Sequence, residues 1–310
     1  MQVLKRKNRE ERMPTECTQT VFAFPSCKSR KVSADFAGGN ITSLGGVMLL
    51  KQADRQLGLT RSAARCIPDT RRQASVTHTM HRMIAQRVFG IACGEEDLND
   101  HDELRRDIAL QTAVGSDSQL ASPSTLCRLE NRVRRKAASA INALFVERFI
   151  ASYATAPKGI ILDFDATDDA VHGGQEGRFF HAYYDHYCFL PLYVFCGSQL
   201  LCAYLRPSKI DGAKHAWAIP RIFTTMFTAR AATWRTVSRS SSSMAYLLCD
   251  HIRRTALQNT RLARATSATI RNKLIRIGAV VLRNSRRIRL HLSSACPHQD
   301  LFAIAAARLE

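Results

Sequence analysis

The sequence predicts a mixed α/β chain: a helical first half, a run of short strands that starts with carboxylates, and a basic α+β tail. Three observations predict it. Apolar residues recur at helical spacing between Val47 and Phe149. At Lys158 the pattern changes to short apolar and aromatic runs separated by turn residues. Charge is also partitioned: residues 161–185 hold six acids against Arg178 alone, while residues 203–310 hold nineteen basic groups and four acids.

The bulk properties narrow the classes. At 310 residues and 45% hydrophobic content the chain can bury a core, as one large domain or two. No apolar run approaches a membrane span, and "MQVLKRKNREERMPTE" has no apolar signal core, so a cytoplasmic location is expected. Ten cysteines contain no CxxC pair, which argues against a zinc ribbon or thioredoxin-like site and for reduced thiols. Ten histidines show no HExxH spacing. The formal net charge of +19 points to a polyanionic partner, nucleic acid being the commonest, with a merely soluble basic surface as the alternative.

Residues 1–35 read as a mobile, mixed-charge leader, and residues 36–157 as a helical region. Gly38, Gly39, Gly45 and Gly46 mark a turn, after which Val47, Leu50 and Leu57 share a helix face. Met80, Met83, Ile84 and Val88 repeat helically, the methionines as core filler. "GEEDLNDHDELRRD" is a solvated acidic connector. Ser122 caps and Pro123 starts the next helix, whose stripe is Ile141, Leu144, Phe145 and Phe149. Arg132, Arg134, Arg135 and Lys136 make a basic patch that suits either DNA or an ordinary exposed helix face. From 158 to 216, "GIILDFDAT", "RFFHAYYDHYC", "LPLYVFCG" and "QLLCAYLRP" read as successive strands, with Gly197-Ser198 a two-residue hairpin turn. Such strands suit the opening half of a ribonuclease-H-like domain. Residues 217–243 lose any clear period. Residues 244–310 return to helical spacing, then to a hairpin with Ile288, Leu290 and Leu292 inward and Arg287, Arg289 and His291 outward. "PHQDLFAIAAARL" closes the chain as a helix.

The chemistry gathers at "DFDATDD". Asp163 and Asp165 lie two apart on the expected strand, so their side chains share a face. Hard divalent ions such as Mg²⁺ take carboxylates of this kind, and a metal pair can clamp the attacking and leaving oxygens of a phosphodiester. On pattern alone a solvated acidic turn explains the cluster equally well.

"ILDFDATDDAVHGGQEGRFFHAYYDHYCFLPLYVFCGSQLLCAYLRP" resembles the first catalytic block of bacterial insertion-sequence DDE transposases, in the domain group typified by the insertion sequence 1380 family. "ADFAGGNITSLGGVMLL", "LASPSTLCRLEN" and "LARATSATIRNKLIRIGAVVLRNSRRIRLHLSSACPHQDLF" agree in order, so the resemblance covers about 33–216 and 244–310. Leu44 departs from it, since the family tends to have an acid there.

The resemblance implies cut-and-paste transposition on a ribonuclease-H-like core. Two Asp and one Glu hold Mg²⁺ or Mn²⁺, and the partners are the inverted-repeat ends and target DNA. It admits a homodimer and a nucleoid-associated location. The first family Asp maps to Asp165, with Asp163 the alternative, both as catalytic and as metal ligand. The family's second Asp, in a "DSGF"-like strand, and its Glu, in an "ENRIKE"-like helix, have no counterpart. After Asp185 the only acids are Asp211, Asp250, Asp300 and Glu310, none in the required context. Residues 217–243 therefore read as an aberrant junction left by an internal deletion or a shifted frame, and the catalytic domain as incomplete. Three readings compete: a transposase by descent that is catalytically defective, a non-catalytic binder of element ends or inhibitor of active transposase, and a product that does not fold. The DNA-binding candidates are Arg271, Lys273, Arg276, Arg283, Arg286, Arg287 and Arg289, a stretch without acids. If all seven met phosphates, the salt slope of binding would be about −6; it shrinks by the number that face only water.

Overall fold

The computed structural model describes residues 22–155, 157, 159–171, 173–174, 178–212 and 240–310. The chain divides into two compact units, Met1–Ile41 and Thr42–Glu310. In the first, β1 (Phe22–Cys27) and β2 (Arg30–Ala34) form an antiparallel hairpin with Phe22 opposite Ala34 and Cys27 opposite Arg30. The register slips between Phe24 and Cys27, where Pro25 has no N–H to give a ladder. The sequence reading placed no element here. All side chains of both strands are exposed, so no buried face imposes an alternation to read. A two-residue strand, β3 (Ile41–Thr42), follows.

The second unit opens with α1 (Val47–Leu57) and α2 (Leu59–Cys66). Val47 and Leu50 are buried as expected, and Leu57 packs half-buried against the same core. Gly46 stands at the start of α1 because nothing larger fits. Its N–H donates to the Ile275 carbonyl at 3.0 Å, and a Cβ there would lie 1.8 Å from the Leu274 carbonyl oxygen. Gly58, at φ 61°, ends α1 in the left-handed region. The Asp54 carboxylate then accepts from the Thr60 N–H (2.9 Å) and hydroxyl (2.5 Å), which starts α2.

α3 (Met80–Cys93) is the central helix. Met80, Met83, Ile84 and Val88 are all buried in the core, as expected. Residues on its other faces are buried too, so it is enclosed on every side. Its polar residues are correspondingly tied down: Gln86 bonds both the N–H and the carbonyl of Ala121, and Arg87 reaches Glu130 at 2.8 Å. The acidic connector carries a short helix, α4 (His101–Leu104), whose His101 is fully buried rather than solvated. Then come α5 (Ile108–Val114), α6 (Pro123–Arg132) and α7 (Arg135–Ala151). Pro123 does begin α6, but Ser122 does not cap it through its side chain; its hydroxyl pairs instead with those of Ser124 and Thr125. Ile141, Phe145 and Phe149 are buried on α7, and Leu144 packs half-buried beside them.

Two small antiparallel sheets follow. One has the order β4 (Asp163–Ala166), β8 (Leu192–Cys196), β9 (Gln199–Tyr204); the other has β5 (Asp169–Ala170), β7 (His186–Phe189), β6 (Phe179–His181). The expected apolar strand is shorter than "GIILDFDAT" suggests. Ile160 and Ile161 lie outside β4 and are exposed, Ile161 at 80%. The β8–β9 turn is the expected Gly197-Ser198, with Cys196 opposite Gln199 and Gly197 at φ 57°. Val146 and Phe149 of α7 pack on Leu192, Val194 and Leu201 as a satellite core.

Residues 213–239, most of the expected junction, lie outside the described residues. Residues 240–243 form the first turn of the helix Ser240–His251. The helical spacing expected beyond 244 is interrupted. A π-turn (Ile252–Ala256) follows that helix, and a second (Arg271–Ile275) follows the short helix Ser267–Ile270. β10 (Ala279–Arg283) and β11 (Ile288–Leu292) form the expected hairpin, Arg283 opposite Ile288, with Arg287, Arg289 and His291 exposed. The helix Gln299–Leu309 closes the chain. Side chains from α1 to α7 and from residues 244–309 belong to one continuous core.

Candidate carboxylate site and cationic surfaces

β4 presents Asp163 and Asp165 on one face, opposite Phe195 and Tyr193 of β8. Both aspartates are exposed. Beside them the neighbouring strand is aromatic. Phe195 packs edge-on against Tyr246 at 5.9 Å, and Tyr246 donates to the Ser198 carbonyl at 2.8 Å. Burial raises the Tyr193 phenol pKa, and the Asp165 charge adds to the rise. Asp168 departs from this face, holding His186 Nε2 at 2.8 Å. β4 is the outer strand of its sheet, and among the described residues nothing pairs with its second edge.

The later acids divide by position. The Asp211-Gly212 turn sits at the end of β4: a Cβ on Gly212 would lie 3.7 Å from that of Ala166. Buried Arg206 fastens this turn, donating to the Leu190 and Gly212 carbonyls at 2.9 and 3.1 Å. Asp250 is buried on the helix Ser240–His251 and ion-paired to Arg253 and Arg254. Asp300 pairs with Arg261 at 3.1 Å on the surface.

A metal pair requires carboxylates converging from separate elements. Among the described residues no group of three or more His, Cys, Asp or Glu is arranged to hold a metal ion. Residues 213–239, outside the described set, contain no Asp or Glu at all. Among the described residues the donor set therefore does not fit a divalent metal pair.

The seven candidate cations separate by role. Arg271 donates to the Ala92 and Ile91 carbonyls at 3.0 and 3.4 Å and so covers the C-terminal end of α3. Arg276 pairs with Glu95 at 2.8 Å. Arg283 reaches Gln111 Oε1 at 2.9 Å and the Asp117 carbonyl at 3.1 Å. Lys273 is half-buried without an ion pair among the described residues. Arg286, Arg287 and Arg289 are exposed around the β10–β11 turn. That turn is held by Asn284 Oδ1, which accepts from the N–H groups of Arg286 (3.0 Å) and Arg287 (2.8 Å). Three cations are thus committed to the fold, and three project from a braced tip.

The α6–α7 patch gains a member that the sequence reading passed over. Arg128 lies one turn before Arg132 on α6, a spacing visible in "CRLENR", and both line one cavity with Arg134 and Lys136. The Arg135 side chain lies outside the described residues.

The family of transposase DDE domain group 1 matches residues 24–244 and 240–310, together running from residue 24 to the last residue. The chain belongs to that family. Membership of this transposase family implies DNA as a partner and, by family, metal-dependent nuclease and transesterase chemistry. No curated protein and no solved structure matches the chain. Among the described residues no helix is long and apolar enough to cross a membrane.

Proposed function

We propose that this transposase, of insertion sequence 1380 descent, retains DNA binding but is defective in the strand cleavage and transfer of cut-and-paste transposition. The observation that carries the reading is the carboxylate inventory. Asp165, with Asp163, stands on β4, and no described group converges with them, nor do residues 213–239 hold an acid that would. Two further observations support it. The β4–β8–β9 meander is what the opening half of a ribonuclease-H-like sheet supplies, and the second edge of β4 has no described strand beside it, where one carrying a second Asp would pair. The family match also comes in two stretches that meet at 240–244, where the aperiodic junction ends. On this reading 158–216 is half of a catalytic domain, 36–157 and 244–310 persist around it, and Mg²⁺ or Mn²⁺ binds weakly at best.

The deciding assay incubates the full chain with labelled element-end DNA and Mg²⁺ or Mn²⁺, beside Asp165→Asn. The expected outcome is DNA binding without metal-dependent 3′-hydroxyl ends in either protein. Nicking by the parent chain that Asp165→Asn abolishes would overturn the reading and direct attention to Asp211, at the end of β4.

A further inference from the structure

We infer that the cleft at the α6–α7 elbow is a second DNA-contacting surface, which seats one phosphodiester strand of a duplex. It rests on the DNA-binding reading above and adds to it a site built from different residues than the 271–289 segment.

The cleft is a cavity of about 810 Å³. Arg128 and Arg132 enter it from α6, and Arg134 and Lys136 from the start of α7, with no acidic residue in its lining. Its floor includes Ala137 and Ala140, small enough to let a strand approach the helix. The carboxylate beside it is already committed: Asp69 is held by Arg71 through two bonds of 2.7 Å, which keeps its pKa far below the usual carboxylate range. Arg132 Nη1 forms an ion pair with Asp69 at 3.5 Å, outside hydrogen-bond geometry, and that buried nitrogen has no hydrogen-bond partner among the described residues. Among the described residues Arg128 bonds only the Thr125 hydroxyl, at 3.1 Å, and neither Arg134 nor Lys136 has an ion pair. Glu130, the one acid of α6, is turned to Arg87.

Arg128, Arg134 and Lys136 thus converge beside Arg132, whose ion pair with Asp69 is shared with Arg71, and among the described residues these three have no acidic partner. A single small phosphate would neutralise one or two of them. A phosphodiester strand brings a regularly repeated negative charge and matches cations spread along an elbow. α7 starts without a side-chain cap, so its N-terminal end adds to the same positive field.

The test is the salt dependence of duplex binding by the full chain, followed by fluorescence anisotropy. Arg128→Gln, Arg134→Gln and Lys136→Gln are combined, and half-buried Arg132 is kept so that the fold is left alone. If all three meet phosphates, the log-log slope falls by about 2.7 and affinity at 0.15 M salt drops roughly a hundredfold. Circular dichroism checks folding. Should the variant misfold, protection of Lys136 from acetylation by bound duplex in the parent chain answers the same question. An unchanged slope in a folded variant, or Lys136 equally reactive with and without DNA, overturns the cleft while leaving DNA binding intact. Failure of the parent chain to bind duplex at any salt overturns the DNA-binding reading, and the cleft with it.

Discussion

His101 should make this protein acid-sensitive by an amount that one substitution can isolate. The imidazole is fully buried, with Nδ1 beside Gln86 Nε2 at 3.2 Å. Since that amide nitrogen can only donate, Nδ1 accepts and Nε2 carries the proton, buried and without a partner among the described residues. Burial, with the positive Arg87 next, lowers its pKa to about 4. The unfolded chain takes up its proton near pH 6.5, whereas the folded chain resists until about 4. The folded pKa is depressed, so the contribution is present in full above 6.5 and is lost as pH falls through this window. A difference of about 2.5 units corresponds to roughly 3 kcal/mol. His101→Gln keeps a partner for Gln86 and removes the titration. Urea unfolding of both proteins at pH 7.5, 5.5 and about 4 should show the substitution costing stability at neutral pH and losing that cost, by about 3 kcal/mol, on acidification. Every other titrating group cancels in the difference. Parallel stability curves would mean that the ring takes up its proton in the fold as readily as in the unfolded chain, and the burial argument would fail.

Two other outcomes follow from the same packing and from the hairpin tip. Gly90→Ala, in the interior of α3, would ordinarily stabilise a helix by about 1 kcal/mol. Here a Cβ would lie 2.9 Å from His101 Cε1, so a loss of about 1–3 kcal/mol is expected, read by urea unfolding; a gain would show that the ring shifts freely. Replacing Arg286, Arg287 and Arg289 together by Gln should leave the melting temperature nearly unchanged and reduce the salt slope of DNA binding by about 2.7, whereas an unaltered slope would exclude the hairpin tip from the interface.

The helical body was legible in the sequence because burial leaves a period. Met80, Met83, Ile84 and Val88 repeat at helical spacing on α3, and Ile288, Leu290 and Leu292 alternate on β11, whose other face is exposed. Gly197-Ser198 was legible for a different reason: a two-residue hairpin needs a positive φ, and glycine supplies it. What escaped was set by partners distant in sequence. His101 sits among charges in "NDHDEL", and only the approach of Gly90 and Gln86 makes it a core residue. Ser122 satisfies every compositional rule for a cap, yet neighbouring hydroxyls claim it. The candidate DNA contacts were legible as a charge excess but not as a surface, because composition cannot tell Arg271, folded onto the end of α3, from Arg287, which faces solvent. The Asp163–Asp165 pair was readable from strand parity, while the want of converging partners required both the inventory of acids and their placement.

The contact of Gly46 with residues 274 and 275 also bears on how the chain reaches its native state. The loop it closes spans more than two hundred residues, and such closures slow folding because their entropic cost precedes their reward. During synthesis the sides of α1 and α3 that pack against residues 240–309 remain uncovered until that segment leaves the ribosome. Through that interval the nascent chain is a substrate for chaperones and for aggregation. Truncation after residue 240 should therefore be far more damaging to solubility than any lesion in the strands between the two halves of the core.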